Sequence, residues 1–339
     1  MGLTTAFLAA VGRVSAALRV PPANPETARG WAQIFRPTGS DIPITHDVAF
    51  TVATVWACID VIASALASSD WNLYEGIRGS DRNKRAMPES RTSYILNTRA
   101  NEEMTAQAAK RAVGIAAVGY GNGYAEIEWD MAGRFAGLWP ISPDRVRLLR
   151  DRETKRLVYR VTQDQAGGWV DMDPSDIFHV RGAGLTGFLG DDPIGKAIQS
   201  IAMAVALERF GSSYFANGTQ LGGILSTDKS LRPDQRESLT KSWNDRSTGA
   251  GARGKTAVLD GGLKWQQITS DAEKAQLVDA RYQQIEEICR WFRVPPHKVA
   301  HLLRATNNNI EQQGLEFSRD TLRPWKVEIE QEASYKLLP

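Results

Sequence analysis

The sequence predicts an α+β protein that is predominantly helical, and three observations lead to this fold class. Apolar residues recur every three or four positions over residues 48–66 and again over 278–292, which is the pattern of a helix with one buried face. Residues 118–190 alternate with a period close to two and are rich in turn residues, which is typical of short antiparallel strands. A small segment with both helix and strand patterns lies between a long helix predicted over residues 193–217 and the second apolar stripe at 278–292.

The composition limits the classes of function that the chain can have. Its 339 residues, 42% hydrophobic and 24% charged, are typical of a globular protein with a real core and not of a disordered one. The 41 basic residues against 39 acidic ones leave a net charge of +2, so no overall positive field marks a tight nucleic-acid binder. Any contact with DNA is therefore expected to be local or weak.

Cysteine usage and the N-terminus exclude further classes. Cys58 and Cys289 are the only cysteines, each within a helical apolar pattern, which predicts two buried thiols and excludes a zinc knuckle. Residues 1–20 lack the basic start of a signal peptide, and Arg13 interrupts their apolar run too early for a membrane span. Neither a signal peptide nor a transmembrane helix is expected.

The N-terminal segment, residues 1–45, is predicted to be an arm or linker. Its second half, residues 20–45, is rich in proline, glycine and small polar residues. Trp31, Ile34 and Phe35 give this arm an apolar section. These side chains are expected to anchor the arm, either on a neighbouring subunit or on its own domain.

Between residues 46 and 190 each element is predicted from its own signal. A helix carries the first apolar stripe, a strand follows at "WNLYEG", and a second helix begins after the cap residue Thr105. The run Gly119–Gly123 lacks the Gly-Lys-Ser/Thr that completes a phosphate loop, which favours a hairpin turn over a phosphate cradle. The residues of the first stripe are Val48, Val52, Val55, Ile59, Ile62 and Leu66.

The following segment is predicted to form two long helices around a small α/β lobe. The first helix begins near Pro193 and ends at Asn217-Gly218. Residues 228–255 of the lobe carry seven basic and four acidic side chains, which a solvated surface explains as well as a binding surface does. The second helix opens at the capping box Ser270–Glu273 and must end before Pro295.

The C-terminal region is predicted to end in a kinked helix. This helix runs from about Asn309, and Pro324 falls inside it, so a kink is expected there. The second long helix, which precedes this region, carries a stripe that is expected to face the core. Its residues are Val278, Tyr282, Ile285, Cys289 and Phe292.

His297 and His301 are candidates for a metal site. They have the spacing of two zinc ligands on one helix face. The glutamate of the H-E-x-x-H pattern is absent, however, and Lys298 would repel a cation. Two ordinary polar histidines are therefore favoured over a metal site.

Asp191 and Asp192 are candidates for a magnesium site. Acidic residues just before a helix more often serve the helix dipole and its caps, and that role is favoured here. The lone histidines His46 and His179 are expected to be structural. The sequence thus predicts no catalytic residue, no metal and no cofactor.

Six segments together resemble the portal proteins of tailed bacteriophages and prophages, of the siphovirus type. The similarity extends from about residue 46 to 339, and each segment is weakly specific while the ordered series is strongly so. In order the segments are "VWACIDVIASALASSDWNLY", "DIFHVRG", "PIGKAIQSI", "YFANGTQLGGIL", "DAEKAQLVDARYQQIEEICRWFRVPP" and "LEFSRDTLRPWKVEIE".

The resemblance implies a ring, usually of twelve subunits, at one vertex of the capsid, through which double-stranded DNA is packaged and later ejected. It implies an α/β wing, a stem of two helices, a small α/β clip between them, and a kinked C-terminal helix that leads to a short or missing crown. On this sequence it implies a wing at 46–190, a first stem helix at 191–217, a clip at 218–266, a second stem helix at 267–295, a tunnel loop at 296–309 and the kinked helix at 310–339.

The resemblance also implies where DNA and partner proteins are bound. The tunnel loop faces the DNA, and the clip docks the terminase large subunit and later a head-completion or adaptor protein. The major capsid and scaffold proteins are further partners, with no membrane contact, and the chain is expected in the virion and in the host bacterial cytoplasm during assembly. The implied channel residues are Lys298, Arg304, Thr306, Asn307, Asn308 and Asn309, and the implied clip residues are Lys241, Arg246, Arg253 and Lys255.

Two alternatives stay open at this point. One is a cellular adaptor built from helical hairpins, which would bind protein partners and no DNA. The other is a metal-dependent hydrolase, which requires Asp191, Asp192 and a histidine to converge. A structural DNA conduit without catalytic activity is favoured, with ATP hydrolysis assigned to the terminase.

Overall fold

The computed structural model forms two compact units. One unit contains residues 1–198 and 288–339, and the other contains residues 199–287. The residues that the structure describes are 43–76, 84–151, 153–163, 168–216, 223–227, 232–247, 264–267, 271–301 and 307–338.

The first unit begins with two consecutive helices, α1 (His46–Thr51) and α2 (Ala53–Ala67). They replace the single predicted helix because Val52 adopts extended dihedral angles (φ −73°, ψ 113°), which a β-branched residue tolerates easily. Five of the six stripe residues, from Val52 to Leu66, are nevertheless buried as predicted, and Val48 is half-buried. Val55 and Ile59 are fully covered. The helical period of the apolar residues thus decides which face lies inside.

Two further helices follow, α3 (Arg91–Asn97) and α4 (Ala106–Tyr120). The second begins where predicted, because the Thr105 hydroxyl accepts a backbone hydrogen bond within the first turn. It packs closely against α2, since a side chain at Gly114 would lie 3.3 Å from Ala63. Glycine at this position permits the close approach of the two helices.

The glycine-rich run after α4 is a helix end, so the predicted hairpin turn is wrong. α4 continues through Tyr120, and Gly121 ends it with φ +81°, a left-handed conformation that favours glycine. A side chain at Gly121 would lie 2.2 Å from the carbonyl oxygen of Asp191. The run packs against the chain's own backbone, which leaves no place there for a phosphate.

The described strands between residues 118 and 190 form two three-stranded antiparallel sheets. In chain order the strands of the first unit are β1 (Tyr74–Gly76), β2 (Lys84–Ala86), β3 (Asn122–Trp129), β4 (Phe135–Ile141), β5 (Val146–Arg150), β6 (Leu157–Thr162), β7 (Trp169–Met172) and β8 (Ile177–Arg181). The two sheets have the strand orders β4-β3-β8 and β5-β6-β7. In the first of these sheets Tyr124 lies opposite Ile141 on one side and His179 on the other. The two sheets share a buried cluster of Tyr124, Ile141, Val146, Tyr159, Val161 and Ile177.

The second unit contains most of two long helices and the small elements between them. The helix predicted over 193–217 is divided at Ala197 into a short and a long helix, and Gly195, a poor helix former, lies just before the division. The side-chain amide of Gln284 donates to the carbonyl oxygen of Ser200 at 2.6 Å and joins the two long helices. The short helix α5 (Pro193–Lys196) belongs to the first unit, and the elements that follow it are α6 (Ile198–Ala216), β9 (Gly223–Ser226), α7 (Pro233–Ser247), β10 (Lys264–Gln267) and α8 (Asp271–Phe292).

The chain ends in three consecutive helical segments of the first unit. They are α9 (Asn307–Glu316), a π-helical turn (Phe317–Leu322) and α10 (Arg323–Lys336), and the last lies along β8. Among the helices in the described ranges, none combines the length and the apolar character that crossing a lipid bilayer requires.

Candidate nucleic-acid channel segment

The segment between α8 and α9 begins with two sharp changes of chain direction. Arg293 closes α8 in a left-handed conformation (φ 55°), and the N–H of Val294 donates to the carbonyl oxygen of Cys289 at 2.9 Å. A 3₁₀ turn, Pro296–Val299, follows, and Ala300 is again left-handed (φ 61°). Residues other than glycine keep this conformation only where the surrounding structure holds them, so the start of the segment is fixed.

The six channel residues implied by the resemblance fall into three groups. Lys298 lies exposed in the 3₁₀ turn, with its Nζ 5.6 Å from the ring centroid of Phe317. Asn307–Asn309 form the first turn of α9, which begins slightly earlier than predicted. Arg304 and Thr306 lie outside the described residues. The structure therefore locates the beginning and the end of the segment.

A π-helical turn lies immediately before Pro324. A proline cannot donate a backbone hydrogen bond, and its ring clashes with the carbonyl group four residues earlier. The wider turn relieves this clash, and the N–H of Arg323 donates to the carbonyl oxygen of Ser318, five residues back. The sequence predicted a kink at Pro324, and the structure places a π-helical turn just before this proline.

The π-helical turn also holds the start of the channel segment. Thr321, which is 4% exposed, donates its hydroxyl hydrogen to the carbonyl oxygen of Arg293 at 2.5 Å. The buried ring of Phe317 lies under the ammonium group of Lys298. We call these four residues the loop base, because they join the chain just after α8 to the chain just after α9.

His297 and His301 lie next to the loop base. Both ring nitrogens of His297 are buried and have no hydrogen-bond partner within the described ranges. Nor do those ranges contain a group of three or more His, Cys, Asp or Glu side chains that could hold a metal ion. A metal bound by these two histidines would need further ligands from elsewhere.

A buried group of charged side chains docks α10 onto β8, and we call Arg181, Glu332 and Lys336 the docking group. Glu332, which is 5% exposed, accepts a hydrogen bond from the backbone N–H of His179 at 3.1 Å. Its carboxylate also pairs with Arg181 at 3.1 Å and with Lys336 at 2.6 Å. The Lys336 side chain is itself 8% exposed and donates to the carbonyl oxygen of Ile177 at 2.6 Å. Each charge in this group depends on its partner, because an unpaired charge in such a site is strongly unfavourable.

His179 is neutral and hydrogen-bonded at both ring nitrogens. The Asn122 side chain and the Gly190 backbone exchange two hydrogen bonds of 2.8 Å, which fixes the orientation of the amide. Asn122 Oδ1 therefore accepts from Nε2 of His179 at 3.1 Å, and the Tyr159 hydroxyl donates to Nδ1 at 3.1 Å. Burial, with the positive charges of the docking group nearby, lowers the pKa of His179 to about 3.

This lowered pKa predicts a loss of stability in mild acid. Below the ordinary pKa of 6.5 the unfolded chain binds a proton that folded His179 does not bind. The contribution of His179 is thus complete above pH 6.5, and we expect it to fall by up to about 1.4 kcal/mol for each pH unit below that value. Denaturant unfolding at several pH values between about 7 and 5 measures this slope. His179→Gln cannot titrate and should lose most of the slope, whereas equal slopes in both proteins would contradict the assignment.

The two candidate aspartates have separate partners. His46 Nε2 lies 3.1 Å from Oδ1 of Asp192, and the His46 ring stacks on Tyr120 with centroids 4.4 Å apart. Asp191 pairs instead with Lys196 at 3.0 Å. The two carboxylates do not converge on one point with a histidine, as the hydrolase alternative requires.

Cys58 and Cys289 meet as a pair of buried thiols. Their Sγ atoms lie 3.9 Å apart, and both residues are at most 1% exposed. The hydrogen bond between the thiols and their burial raise the pKa of Cys58 above its usual range. A thiol that stays protonated is a poor nucleophile and a poor metal ligand. The prediction of two buried thiols is confirmed, and the pair joins α2 to the end of α8.

The second unit carries the predicted clip residues that the structure describes. Lys241 is exposed on α7, and Arg246 belongs to the same helix. Arg253 and Lys255 lie outside the described residues. The structure therefore places two of the four residues on one helix.

The long helices of the second unit leave large apolar side chains exposed. Met203 and Phe210 on α6 are 55% and 53% exposed, and Val278 and Tyr282 on α8 are 47% and 38% exposed. The sequence pattern predicted that Val278 and Tyr282 face a core, and in the single chain they do not. Such a stripe is typical of a surface that another subunit covers.

In the part of the chain that the structure describes, the two long helices expose large apolar side chains, which is typical of a protein that assembles with other chains. The model of the phage portal protein family matches residues 53–339. The chain belongs to this family.

One relative and two solved structures illustrate the similarity. The chain is 29% identical over 303 residues to the portal protein of Enterobacteria phage HK97, which covers 88% of this chain and 70% of that protein. A structure of the neck of the native gene transfer agent particle, computed with C12 symmetry, matches with a TM-score of 0.61 at 20% identity, over 86% of this chain and 78% of that one. An HK97 family phage portal protein from Corynebacterium diphtheriae matches with a TM-score of 0.59 at 14% identity, over 87% of this chain and 92% of that one.

These findings confirm the predicted family, the portal-like α+β fold and the structural, non-enzymatic role. As a portal protein the chain assembles into a ring at a capsid vertex, where the general role of the ring is to form a channel for DNA. The cellular adaptor and the hydrolase are not retained.

Proposed function

We propose that twelve copies of this chain form the ring and that double-stranded DNA passes through it during packaging and again during ejection. The twelvefold symmetry of the gene transfer agent neck, whose fold the chain shares, supports this number. A ring closes when each subunit offers two different complementary surfaces to its neighbours. The apolar stripes on α6 and α8 are suited to such a contact. The ring assembles in the host bacterial cytoplasm and remains at the portal vertex of the virion.

The observation that carries the channel assignment is the loop base. The hydrogen bond from Thr321 to Arg293 and the stacking of Lys298 on Phe317 hold together the two sides of the segment that includes residues 296–309. A loop that is held at its base can keep a constant position while DNA slides past it. We therefore assign residues 296–309 as the tunnel loop.

The three asparagines of this segment explain how contact with DNA stays weak. Asparagine can hydrogen-bond to a phosphate without carrying a full charge. Each Lys or Arg that neutralises a phosphate adds strong, salt-dependent binding, and a ring repeats that binding in every subunit. Asn307–Asn309, with Thr306, would give a weak and sequence-independent contact. Lys298 and Arg304 would keep a moderate positive potential nearby.

The remaining elements take the other roles of a portal subunit. Residues 46–190 form the wing, which contacts the major capsid and scaffold proteins, and α6 and α8 form the stem. Residues 218–266 form the clip, which docks the terminase large subunit during packaging and a head-completion or adaptor protein afterwards. Charged residues on such a surface set the association rate and the choice of partner. We assign this role to Lys241, Arg246, Arg253 and Lys255.

Reversing the charge of the four clip residues tests this assignment and the proposed function together. We expect that Lys→Glu and Arg→Glu substitutions at these positions weaken the binding of purified rings to the terminase large subunit at least tenfold. Each substitution replaces a positive charge that attracts the partner surface with a negative charge that is repelled by it. Capsids built with such rings should gain correspondingly less nuclease-protected DNA in a packaging reaction.

A matched control reverses four exposed cations of the first unit, Arg85, Lys155, Arg156 and Lys326, and should leave terminase binding unchanged. Equal terminase binding by the clip variant and the unaltered ring would contradict the clip assignment. If capsids with unaltered rings never gained protected DNA, the proposed channel itself would be wrong.

A further inference from the structure

The loop between β8 and α5 exposes a group of large apolar side chains. Leu185 is 91% exposed, Phe188 49% and Leu189 42%. The guanidinium of Arg150 lies over Phe188, with its Cζ 4.8 Å from the ring centroid. We call Leu185, Phe188 and Leu189 the apolar loop. Large apolar side chains that are grouped on a surface usually mark a contact.

Hydrogen bonds fix the ends of the apolar loop. The N–H of Asp191 donates to the carbonyl oxygen of Ala183 at 2.8 Å, which closes the loop. The Asn122 side chain holds Gly190 through two further hydrogen bonds of 2.8 Å. The loop is therefore closed at its base while its three large apolar side chains are exposed, so another segment can cover them.

The described chain begins beside this loop. Pro43 is its first residue and Ile44 is buried, so the chain is already anchored there. His46 contacts Asp192 at 3.1 Å, which lies three residues after Leu189. Leu189 to Asp192 and Pro43 to His46 are three residues each, and each stretch spans at most about 11 Å, so the N-terminal arm joins the described chain in the neighbourhood of the apolar loop.

The N-terminal arm has a suitable apolar section within reach. Trp31, Ile34 and Phe35 have the i, i+3, i+4 spacing that places side chains on one face of a helical turn. Pro43 is the eighth residue after Phe35, and eight residues can span up to about 26 Å. A tether of this length keeps the section at an effective concentration in the millimolar range around the loop of its own chain.

We propose that Trp31, Ile34 and Phe35 of the N-terminal arm dock on the apolar loop of the same chain. The short tether favours this loop over that of a neighbouring subunit, so the arm acts as a strap across the junction between β8 and α5. The proposal is independent of the number of subunits in the ring and of the residues that line the channel.

Hydrogen exchange of the full-length protein, followed by mass spectrometry, tests this contact. The amides of residues 31–36 should exchange at least tenfold more slowly than those of residues 20–28, because docking restricts their opening. The double variant Leu185→Ser, Phe188→Ser should remove this protection. Met131→Ser is the matched control, since Met131 is fully exposed on a different hairpin of the first unit, and it should leave the protection intact.

A cysteine pair identifies which chain provides the loop. In the Phe35→Cys, Leu185→Cys variant, mild oxidation should yield a disulfide within one chain. A disulfide that joins two chains would overturn the proposal. Rapid exchange of residues 31–36 in the unaltered protein, or equal protection in the double serine variant, would overturn it as well.

Discussion

Glu332→Gln is expected to lower the free energy of unfolding of the first unit by about 3–5 kcal/mol. The substitution keeps the shape of the side chain and removes only its charge. Lys336, whose side chain is 8% exposed, then stays buried without its carboxylate partner, and Arg181 keeps only Glu328. Denaturant unfolding of the purified chain, monitored by near-ultraviolet circular dichroism, measures the change.

Glu330→Gln provides the matched control for this substitution. Glu330 lies on the same helix and is exposed, so the same loss of charge should change stability by no more than about 0.5 kcal/mol. Similar losses for both substitutions would show that net charge, and not the buried group, is responsible. A loss below about 1 kcal/mol for Glu332→Gln would contradict the proposed importance of the docking group.

Replacing Asn307–Asn309 with lysines is expected to slow DNA packaging at least tenfold and to stop it at low salt. Each subunit gains three positive charges, and the ring repeats them around the duplex. Binding through phosphate neutralisation weakens steeply as salt rises, with a slope of about −0.9 per neutralised phosphate in a plot of log K against log salt concentration. Packaging by the variant should therefore recover in part at higher salt. Nuclease protection of DNA in capsids measures the rate.

The triple Asn→Gln variant is the control, because it keeps the amide groups and adds no charge. It should package DNA at nearly the unaltered rate. Electron-microscope images of both variant rings establish that assembly is intact before packaging is compared. Unchanged DNA filling by the lysine variant would show that these positions do not meet the duplex.

The first apolar stripe shows what periodicity can predict. Val55 and Ile59 are fully buried because the spacing of apolar residues alone determines which face of a helix turns inward. The hairpin turn predicted at Gly119–Gly123, which was based on turn residues and not on periodicity, was wrong, because a glycine-rich run ends a helix as readily as it forms a hairpin turn. Only the length of the preceding helix, which continues to Tyr120, distinguishes the two.

The second apolar stripe shows where a single chain is not enough. Val278 and Tyr282 have the spacing of core residues and remain exposed, while Cys289 and Phe292 of the same stripe are buried. The periodicity of apolar residues predicts that one face of a helix is buried. It does not predict whether that face packs against the same chain or against another subunit. The departure from prediction is thus itself a sign of assembly.

The contacts that hold the candidate site could not be predicted from the sequence, because they join residues that are far apart along the chain. Glu332 meets the backbone of His179, which lies 153 residues earlier, and Thr321 meets the backbone of Arg293, 28 residues earlier. Such partners are decided by how α10 and the π-helical turn pack in the fold, and no spacing within the sequence encodes them. The channel residues themselves were inferred from a family resemblance, and their contact with DNA stays a prediction.

Electron microscopy of the purified full-length chain tests most directly whether this protein forms a DNA conduit. Class averages should show closed rings with a central opening wide enough for a duplex, and a reconstruction should place residues 296–309 around that opening. Compact monomers at high concentration, or rings whose opening is lined by other segments while Asn307–Asn309 are buried, would contradict it.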